Sequence, residues 1–241
     1  MGSMTLALAQ FGASDRKDEN LCRIRSYAQE SAQSGASMLF LPEYSMFYAK
    51  TNRQSQNCEA AEPLDGAFVS ALGAIAREAG LWLAAGLYER TDGLPYNTIV
   101  VLDDRGILRG AHRKQRLYDA FGYRESAECR AGQTDFVPID TPCGKLGVIT
   151  CFELRFPALA AAQRAGGADI LYVPAGWAEG PDKRLHWRTL LCARAIENHM
   201  TVLGVDQYAA GTFIGHSAAF APNGTALGSM TEGEGLLTIH L

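Results

Sequence analysis

Residues 145–157 read KLGVITCFELRFP, and the rest of the chain is read outward from them. Leu146, Val148 and Ile149 form an apolar run with the character of a buried strand. Pro157 and the ALAAAQRAGG after it read as a helix that opens on proline and closes at Gly166-Gly167. Cys151 sits at the joint. The start of a helix offers unpaired backbone NH groups and a partial positive charge, which favour a thiolate over a thiol, so this cysteine is a candidate nucleophile. The competing reading at this stage is a small buried hydrophobe, the commonest role of a free cysteine.

Ten strand-like runs recur along the chain, at 5–11, 37–43, 81–89, 97–103, 135–140, 145–151, 169–176, 201–208, 216–222 and 235–241. Helical patterns fill 21–34, 66–79, 157–165 and 184–198, with Val69, Leu72, Ile75 and Ala79 on one stripe of the second. Strands and helices alternate in the first and last thirds. Between 81 and 103 a turn-rich TDGLPYN joins two strands, which predicts local antiparallel pairing in a mixed sheet. So many strands with about four helices suit a layered α/β sandwich better than a (β/α)8 barrel. No repeat, low-complexity tract or linker interrupts the chain, so a single domain over 4–241 is expected. The opening MGS before Met4 reads as an expression-vector remnant.

Composition narrows the function classes. With 22 Lys+Arg against 26 Asp+Glu, the net charge is -4, and no basic stripe with interleaved aromatics appears. Nucleic acid and anionic membrane are therefore excluded as expected partners, which leaves a small solute. The 6 cysteines form no CxxC pair and no Cys/His ligand cluster, so no metal and no disulfide framework are expected, and a cytoplasmic location fits. Apolar runs such as GLWLAAGLY are far too short to span a bilayer.

Glu43 follows the apolar MLFLP, where a carboxylate would stand at the carboxyl edge of a sheet, the edge at which α/β proteins bind ligands; an ordinary surface glutamate is the alternative. The segment 110–132, GAHRKQRLYDAFGYRESAECRAG, is long, charged and rich in aromatics, including Tyr118 and Tyr123. Such a loop between strands has the character of a site loop, although charge runs are commonly just solvated. A strand-end thiol, a strand-end carboxylate and a loop lysine are the parts of covalent catalysis: nucleophile, base and electrostatic stabiliser.

Taken in order, FLPEYS, HRKQRLYD, TCFELRFP, ARAIENH and GHSAAFAPNG resemble the nitrilase, or carbon-nitrogen hydrolase, superfamily, from Thr5 to the end of the chain. The resemblance implies a four-layer αββα sandwich that pairs with a second subunit as a homodimer or higher homo-oligomer. It also implies cofactor-free hydrolysis of a small amide or nitrile. The family's Glu-Lys-Cys motif falls on Glu43, Lys114 and Cys151, and its second glutamate falls on Glu125 rather than Glu128. On that basis Glu43 takes the Cys151 proton, Lys114 and the Phe152 amide hold the oxyanion, and Glu125 orients substrate and lysine. Phe152, Tyr118, Trp177 and Glu153 are the expected substrate contacts.

Two departures from the family pattern stand beside the nucleophile. The usual aspartate two residues after the cysteine is Glu153, and the glutamate that often follows RFP is Ala158. His186 and His216 could each be imagined as a partner of the thiol, but a structural role is expected for both. CFELRFP lies nearer the CYDLRFP pattern of the amidase branch, which resembles deaminated glutathione amidase and ω-amidase, than the CWEN pattern of strict nitrilases. Hydrolysis of a small carboxylated amide to acid and ammonia is therefore expected. Arg113, Arg116, Arg124 and Arg155 are the candidates to meet the carboxylate. Nitrile hydrolysis, N-carbamoyl hydrolysis, acyl transfer and ligand binding without turnover stay open as alternatives.

Overall fold

Along Thr5–Gln10 the side chains alternate between two interiors: Leu6 and Leu8 face a second sheet, while Ala7 and Ala9 face helices. Strands that bury both faces read as continuous apolar runs, and this one is almost wholly buried. The computed structural model describes residues 4–241, so the expected vector remnant at 1–3 lies outside the described residues.

Two six-stranded sheets result. The first runs in spatial order Gly235–His240, Thr5–Gln10, Met38–Phe40, Trp82–Glu89, Tyr96–Leu102 and Leu108–Arg113. The second runs Ala226–Ser229, Ala218–Phe220, Thr201–Asp206, Ile170–Ala175, Gly144–Val148 and Ile139–Thr141. Each has three parallel strands at its centre and antiparallel strands outside them. The layer between the sheets contains Leu6, Leu8, Met38, Phe40, Ile99, Val148, Tyr172 and Leu203. Helices α1 (Lys17–Gln33) and α3 (Ala67–Ala79) cover the first sheet, and α4 (Pro157–Ala165) and α5 (Lys183–Asn198) cover the second. The architecture is the expected four-layer αββα sandwich. A shorter helix, α2 (Arg53–Ala60), contributes Arg53 to the lining of the cavity described below.

The expected antiparallel pair is present, in register from Leu83 opposite Leu102 to Glu89 opposite Tyr96. Several elements differ from expectation. Helix α1 begins at Lys17 rather than 21, because its polar first turn has no apolar period but carries Asp18 and Glu19 where the helix dipole favours them. Of the run 135–140 only the last two residues enter a strand, Ile139–Thr141. Leu108–Arg113 and Ala226–Ser229 are sheet-edge strands, half exposed and without a clear alternation. The apolar stripe of α5 formed by Trp187, Leu191 and Ala195 is buried in the chain's own core, and only Leu185 and Ile196 of that helix stand out as exposed large apolar side chains.

The sandwich brings the carboxyl edges of the central strands of both sheets together. Glu43 lies three residues past Met38–Phe40, and Cys151 three past Gly144–Val148. Tyr172 bridges the layers: its ring packs on Phe40 with centroids 5.0 Å apart, and its hydroxyl donates to the Leu41 carbonyl.

Candidate active site

Glu43 is held by the strand that runs beneath it. The next strand carries Gly86, where a β-carbon would stand 2.7 Å from the Tyr44 nitrogen and 3.1 Å from the Glu43 α-carbon. Only glycine lets the Glu43-Tyr44 turn lie that close. The turn is completed by Tyr44 in the left-handed region (φ 61°), with the Met46 amide bonded to the Gly86 carbonyl at 3.0 Å. Lys114 follows the edge strand Leu108–Arg113, and its amide donates to the Asn97 carbonyl at 2.9 Å.

These positions converge on a buried charge cluster. The Lys114 ammonium is 2.9 Å from a Glu43 oxygen and 2.9 Å from a Glu125 oxygen, and all three residues are at most 1% exposed. Asn97 donates to Glu43 at 2.7 Å and to Glu125 at 3.0 Å, tying the carboxylates together. The second Glu43 oxygen accepts from the Gly176 amide at 2.8 Å. Glu125 also accepts from the Tyr44 hydroxyl at 3.2 Å and the Tyr118 amide at 2.7 Å. Burial opposes the charge on Lys114, yet Glu125 and Glu43 outweigh it and hold the lysine well above its ordinary pKa. Burial likewise pushes Glu125 up, but Lys114, with the Tyr118 amide and Asn97 as donors, outweighs it and holds Glu125 below the ordinary carboxylate range. The Lys114–Glu125 pair is held in its ionised form because each charge has the other as partner.

Cys151 departs from the expected picture in two respects, the turn it begins and the state of its thiol. It begins a five-residue 3-10 turn, Cys151–Arg155, ahead of α4, and stands in the left-handed region at φ 48°. A non-glycine residue in that region stores strain of about 1–3 kcal/mol, a pattern frequent at active sites. The thiol is not pushed toward thiolate. Burial, and after it the negative charge of Glu43, raise its pKa well above the thiol range, and the opposing pull of Lys114 is too small. The resting group is a thiol that needs a base. The amides of Cys151 and Phe152 donate no hydrogen bond to the described residues, so both are free to meet a developing oxyanion.

A cavity of about 780 Å³ opens over Cys151 and Lys114, walled by Tyr44, Tyr118, Tyr123 and Phe213. Of the expected substrate contacts, Tyr118 lines this cavity, and Phe152 and Trp177 line a recess beside Cys151. Glu153 does not reach either. It is fully buried, 2.7 Å from the His112 ring, and its oxygens accept from the amides of Thr150 at 2.6 Å and Gln115 at 2.6 Å. Its carboxylate is thus consumed in clamping the cysteine turn to the lysine segment, which corrects the expectation of a substrate contact. Burial raises its pKa, but His112 and these amides outweigh burial and hold it low.

Glu128, the less favoured alternative to Glu125, pairs instead with Arg53 at 2.7 Å. Among the four arginines considered for a substrate carboxylate, Arg155 lines the recess, whereas Arg113 is engaged by Glu89. His186 lines the cavity with its ring 3.5 Å from the Arg155 guanidinium, and His216 accepts the Trp187 indole NH through its backbone carbonyl. Asn97, Gly176, Asp206 and Lys183 were not foreseen. Asp206, fully buried, accepts from the Trp177 amide at 2.7 Å, and burial pushes its carboxyl well above the usual range. Among these, only Asn97 carries a sequence signal, a polar residue at the head of the apolar run NTIVVLD.

Residues 5–241 match the family profile described as carbon-nitrogen hydrolase. The chain is 34% identical over 248 residues to deaminated glutathione amidase of Mus musculus, covering 96% of this chain and 75% of that protein. Its fold superposes on the NitFhit protein of C. elegans with a TM-score of 0.91 at 28% identity, covering 100% of this chain and 61% of that one. It also superposes, with a TM-score of 0.85 at 27% identity, on a glutamate-to-glutamine mutant of the amidase from Nesterenkonia sp. AN1, over 99% of this chain and 93% of that one; that structure shows Michael addition of acrylamide at the active site cysteine.

Proposed function

The chain belongs to the carbon-nitrogen hydrolase family, and from that premise we propose that it hydrolyses small amides to a carboxylic acid and ammonia through a thioester on Cys151. One observation carries the reading: a lysine bonded to two buried carboxylates at 2.9 Å each, in the same cavity as a thiol that needs a base. Glu43 accepts the Cys151 proton as sulfur attacks the amide carbon. The electron pair of the carbonyl moves to oxygen, where the Lys114 ammonium and the Phe152 amide stabilise it. As that pair returns, the C–N bond breaks and Glu43 gives its proton to the departing nitrogen. Water, deprotonated by Glu43, then adds to the thioester; the C–S bond breaks and the proton returns to sulfur. Glu125 accepts from Lys114 and the Tyr118 amide, and so fixes the position of the lysine that serves as one oxyanion donor.

An amide suits this arrangement better than a nitrile, because its tetrahedral intermediate develops the oxyanion these donors await. The likeness to deaminated glutathione amidase supports a small carboxylated amide as substrate. We further infer one catalytic domain over 4–241, a homodimer or larger homo-oligomer using the exposed Leu185 and Ile196 of α5, and a cytoplasmic setting in keeping with six unpaired cysteines. No helix among the described residues is long and apolar enough to cross a membrane. The test is a parallel ammonia-release screen of amides, carbamoyl compounds and nitriles, with Cys151→Ala as control. Release should depend on Cys151 and favour amides; faster Cys151-dependent release from nitriles than from every amide overturns the amidase assignment.

A further inference from the structure

Asp206 is a buried carboxyl that the mechanism does not use. It ends the strand Thr201–Asp206, in register beside Ala175 of Ile170–Ala175, at the carboxyl edge where Cys151 also stands. It is fully buried, and among the described residues no lysine, arginine or histidine lies in ion-pair range of it. One oxygen, Oδ1, accepts from the Trp177 amide at 2.7 Å; the other, Oδ2, has no partner. The Asp206 backbone NH donates to the Ser217 hydroxyl at 3.0 Å, so that hydroxyl serves the main chain and leaves the carboxyl alone.

Two carboxyls thus share one short stretch of backbone. The Gly176 amide donates to Glu43 at 2.8 Å, and the next amide along the chain, that of Trp177, donates to Asp206. Two like charges so placed in a dry site repel each other, and such pairs resolve by one member keeping its proton. Counter-charge decides which. Lys114 stands 2.9 Å from Glu43, whereas Asp206 has no cation. Burial first, and then the negative charge of Glu43, push the Asp206 carboxyl well above its ordinary range against the pull of the Trp177 amide. The titratable side chains within electrostatic reach of it are Glu43 and Cys151, and neither supplies a positive charge. An oxygen without a partner also costs less to bury as a hydroxyl than as half of a carboxylate.

We propose that Asp206 is a positioning residue that works as a neutral carboxylic acid: its carbonyl oxygen holds the Trp177 amide and so keeps the preceding Gly176 amide aimed at the Glu43 carboxylate. Its kinetic consequence rests on the amidase reading above. Neutrality is what the site requires, since a second negative charge beside Glu43 would favour protonation of the base and push the Cys151 thiol further from thiolate. Gln207, next in the chain, adds a second hold on the same turn by donating its side-chain amide to the Glu43 carbonyl at 2.5 Å.

Asparagine copies the neutral acid and keeps a carbonyl in place, whereas alanine removes the acceptor. Asp206→Ala should lower kcat by about tenfold or more with KM within about threefold, because a misaimed base costs turnover rather than binding. Asp206→Asn should restore kcat to within about threefold of wild type and leave the acid limb of the kcat/KM profile where it was. Three kinetic results overturn the proposal: Asp206→Ala within about threefold of wild type in kcat, Asp206→Asn no faster than Asp206→Ala, or an acid limb moved to lower pH in Asp206→Asn, which would reveal a charge removed beside Glu43. A second arm needs no turnover: the infrared difference spectrum of wild type minus Asp206→Asn at about pH 7, far above the ordinary aspartate range. The carbonyl band of a protonated carboxyl, shifted in D2O, supports the proposal, and carboxylate bands in its place overturn it. Each variant is first shown to melt cooperatively; if Asp206→Ala does not fold, the pH profile of Asp206→Asn and the infrared arm decide. Failure of the wild type to release ammonia from any amide would strike the amidase reading alone, because the infrared arm is read independently.

Discussion

Replacing Glu43 by glutamine separates the base from the nucleophile. Glu43 accepts three hydrogen bonds, from Lys114 at 2.9 Å, Asn97 at 2.7 Å and the Gly176 amide at 2.8 Å. The glutamine carbonyl can keep Lys114 and Asn97, but its NH2 group then faces the Gly176 NH, donor against donor. One buried hydrogen bond is lost, worth about 1–3 kcal/mol, which a domain of this size survives. The catalytic loss is larger. A general base contributes about 10²–10⁴-fold, and here the same carboxylate serves both acylation and thioester hydrolysis. The thiol responds in the opposite sense. The Glu43 charge is, after burial, the main influence holding the Cys151 pKa up, so its removal leaves Lys114 less opposed and raises the thiolate fraction at a fixed pH near 8. Ammonia release should therefore fall by about 10²-fold or more, while peptide-resolved alkylation of Cys151 by iodoacetamide holds or accelerates. Peptide resolution is required because Cys22 and Cys58 are exposed and will also react. Turnover within tenfold of wild type refutes the assignment of the base. Alkylation that falls in step with turnover, at an unchanged melting temperature, refutes the electrostatic argument.

Gly86→Ala should lower kcat by about tenfold to 10²-fold, since a β-carbon 2.7 Å from the Tyr44 nitrogen must displace the Glu43 turn and small misplacements of catalytic groups are expensive; an unchanged kcat in steady-state kinetics counters this. Acidification should destabilise the fold through Glu125 and Glu153, both held below their unfolded pKa. A carboxylate of that kind contributes stability that is fully present above its unfolded pKa, about 4.3, and is lost as pH falls through the folded value, so the melting temperature should drop steeply below about pH 4. A flat melting profile from pH 5 to 3 contradicts it.

The layers of the sandwich were legible because its central strands are buried on both faces and so read as uninterrupted apolar runs, as in MLF at Met38–Phe40 and ILYVPA at Ile170–Ala175. Edge strands and polar helices were not. In Arg53–Ala60 eight residues form a helix with only Asn57 and Ala60 buried, too little apolar surface to leave a period. The cluster of Glu43, Lys114, Glu125 and Cys151 was readable from its motifs, since Lys114 and Glu125 directly follow strands and Glu43 and Cys151 stand three residues past theirs. The state of the thiol was not, because the balance between burial, Glu43 and Lys114 depends on distances that no local pattern encodes. Glu153 illustrates the same limit: two residues from the nucleophile in sequence, it turns into the core toward His112. Gly176 and Lys183 come from the neighbouring strand of the same sheet and from the helix that covers it, and only the pairing of Ile170–Ala175 beside Gly144–Val148 and the packing of α5 bring them to the thiol.

The most direct measurement of the central claim is mass spectrometry of the protein quenched in acid during turnover of a slowly hydrolysed amide, followed by peptide mapping. The account predicts a mass increase equal to the acyl group, confined to the peptide bearing Cys151, removed by hydroxylamine as a thioester is, and absent in Cys151→Ala. Steady ammonia release with no covalent species under conditions that trap one on a model thioester, or an acyl group mapped to Cys22, Cys58, Cys129, Cys143 or Cys192, would contradict it.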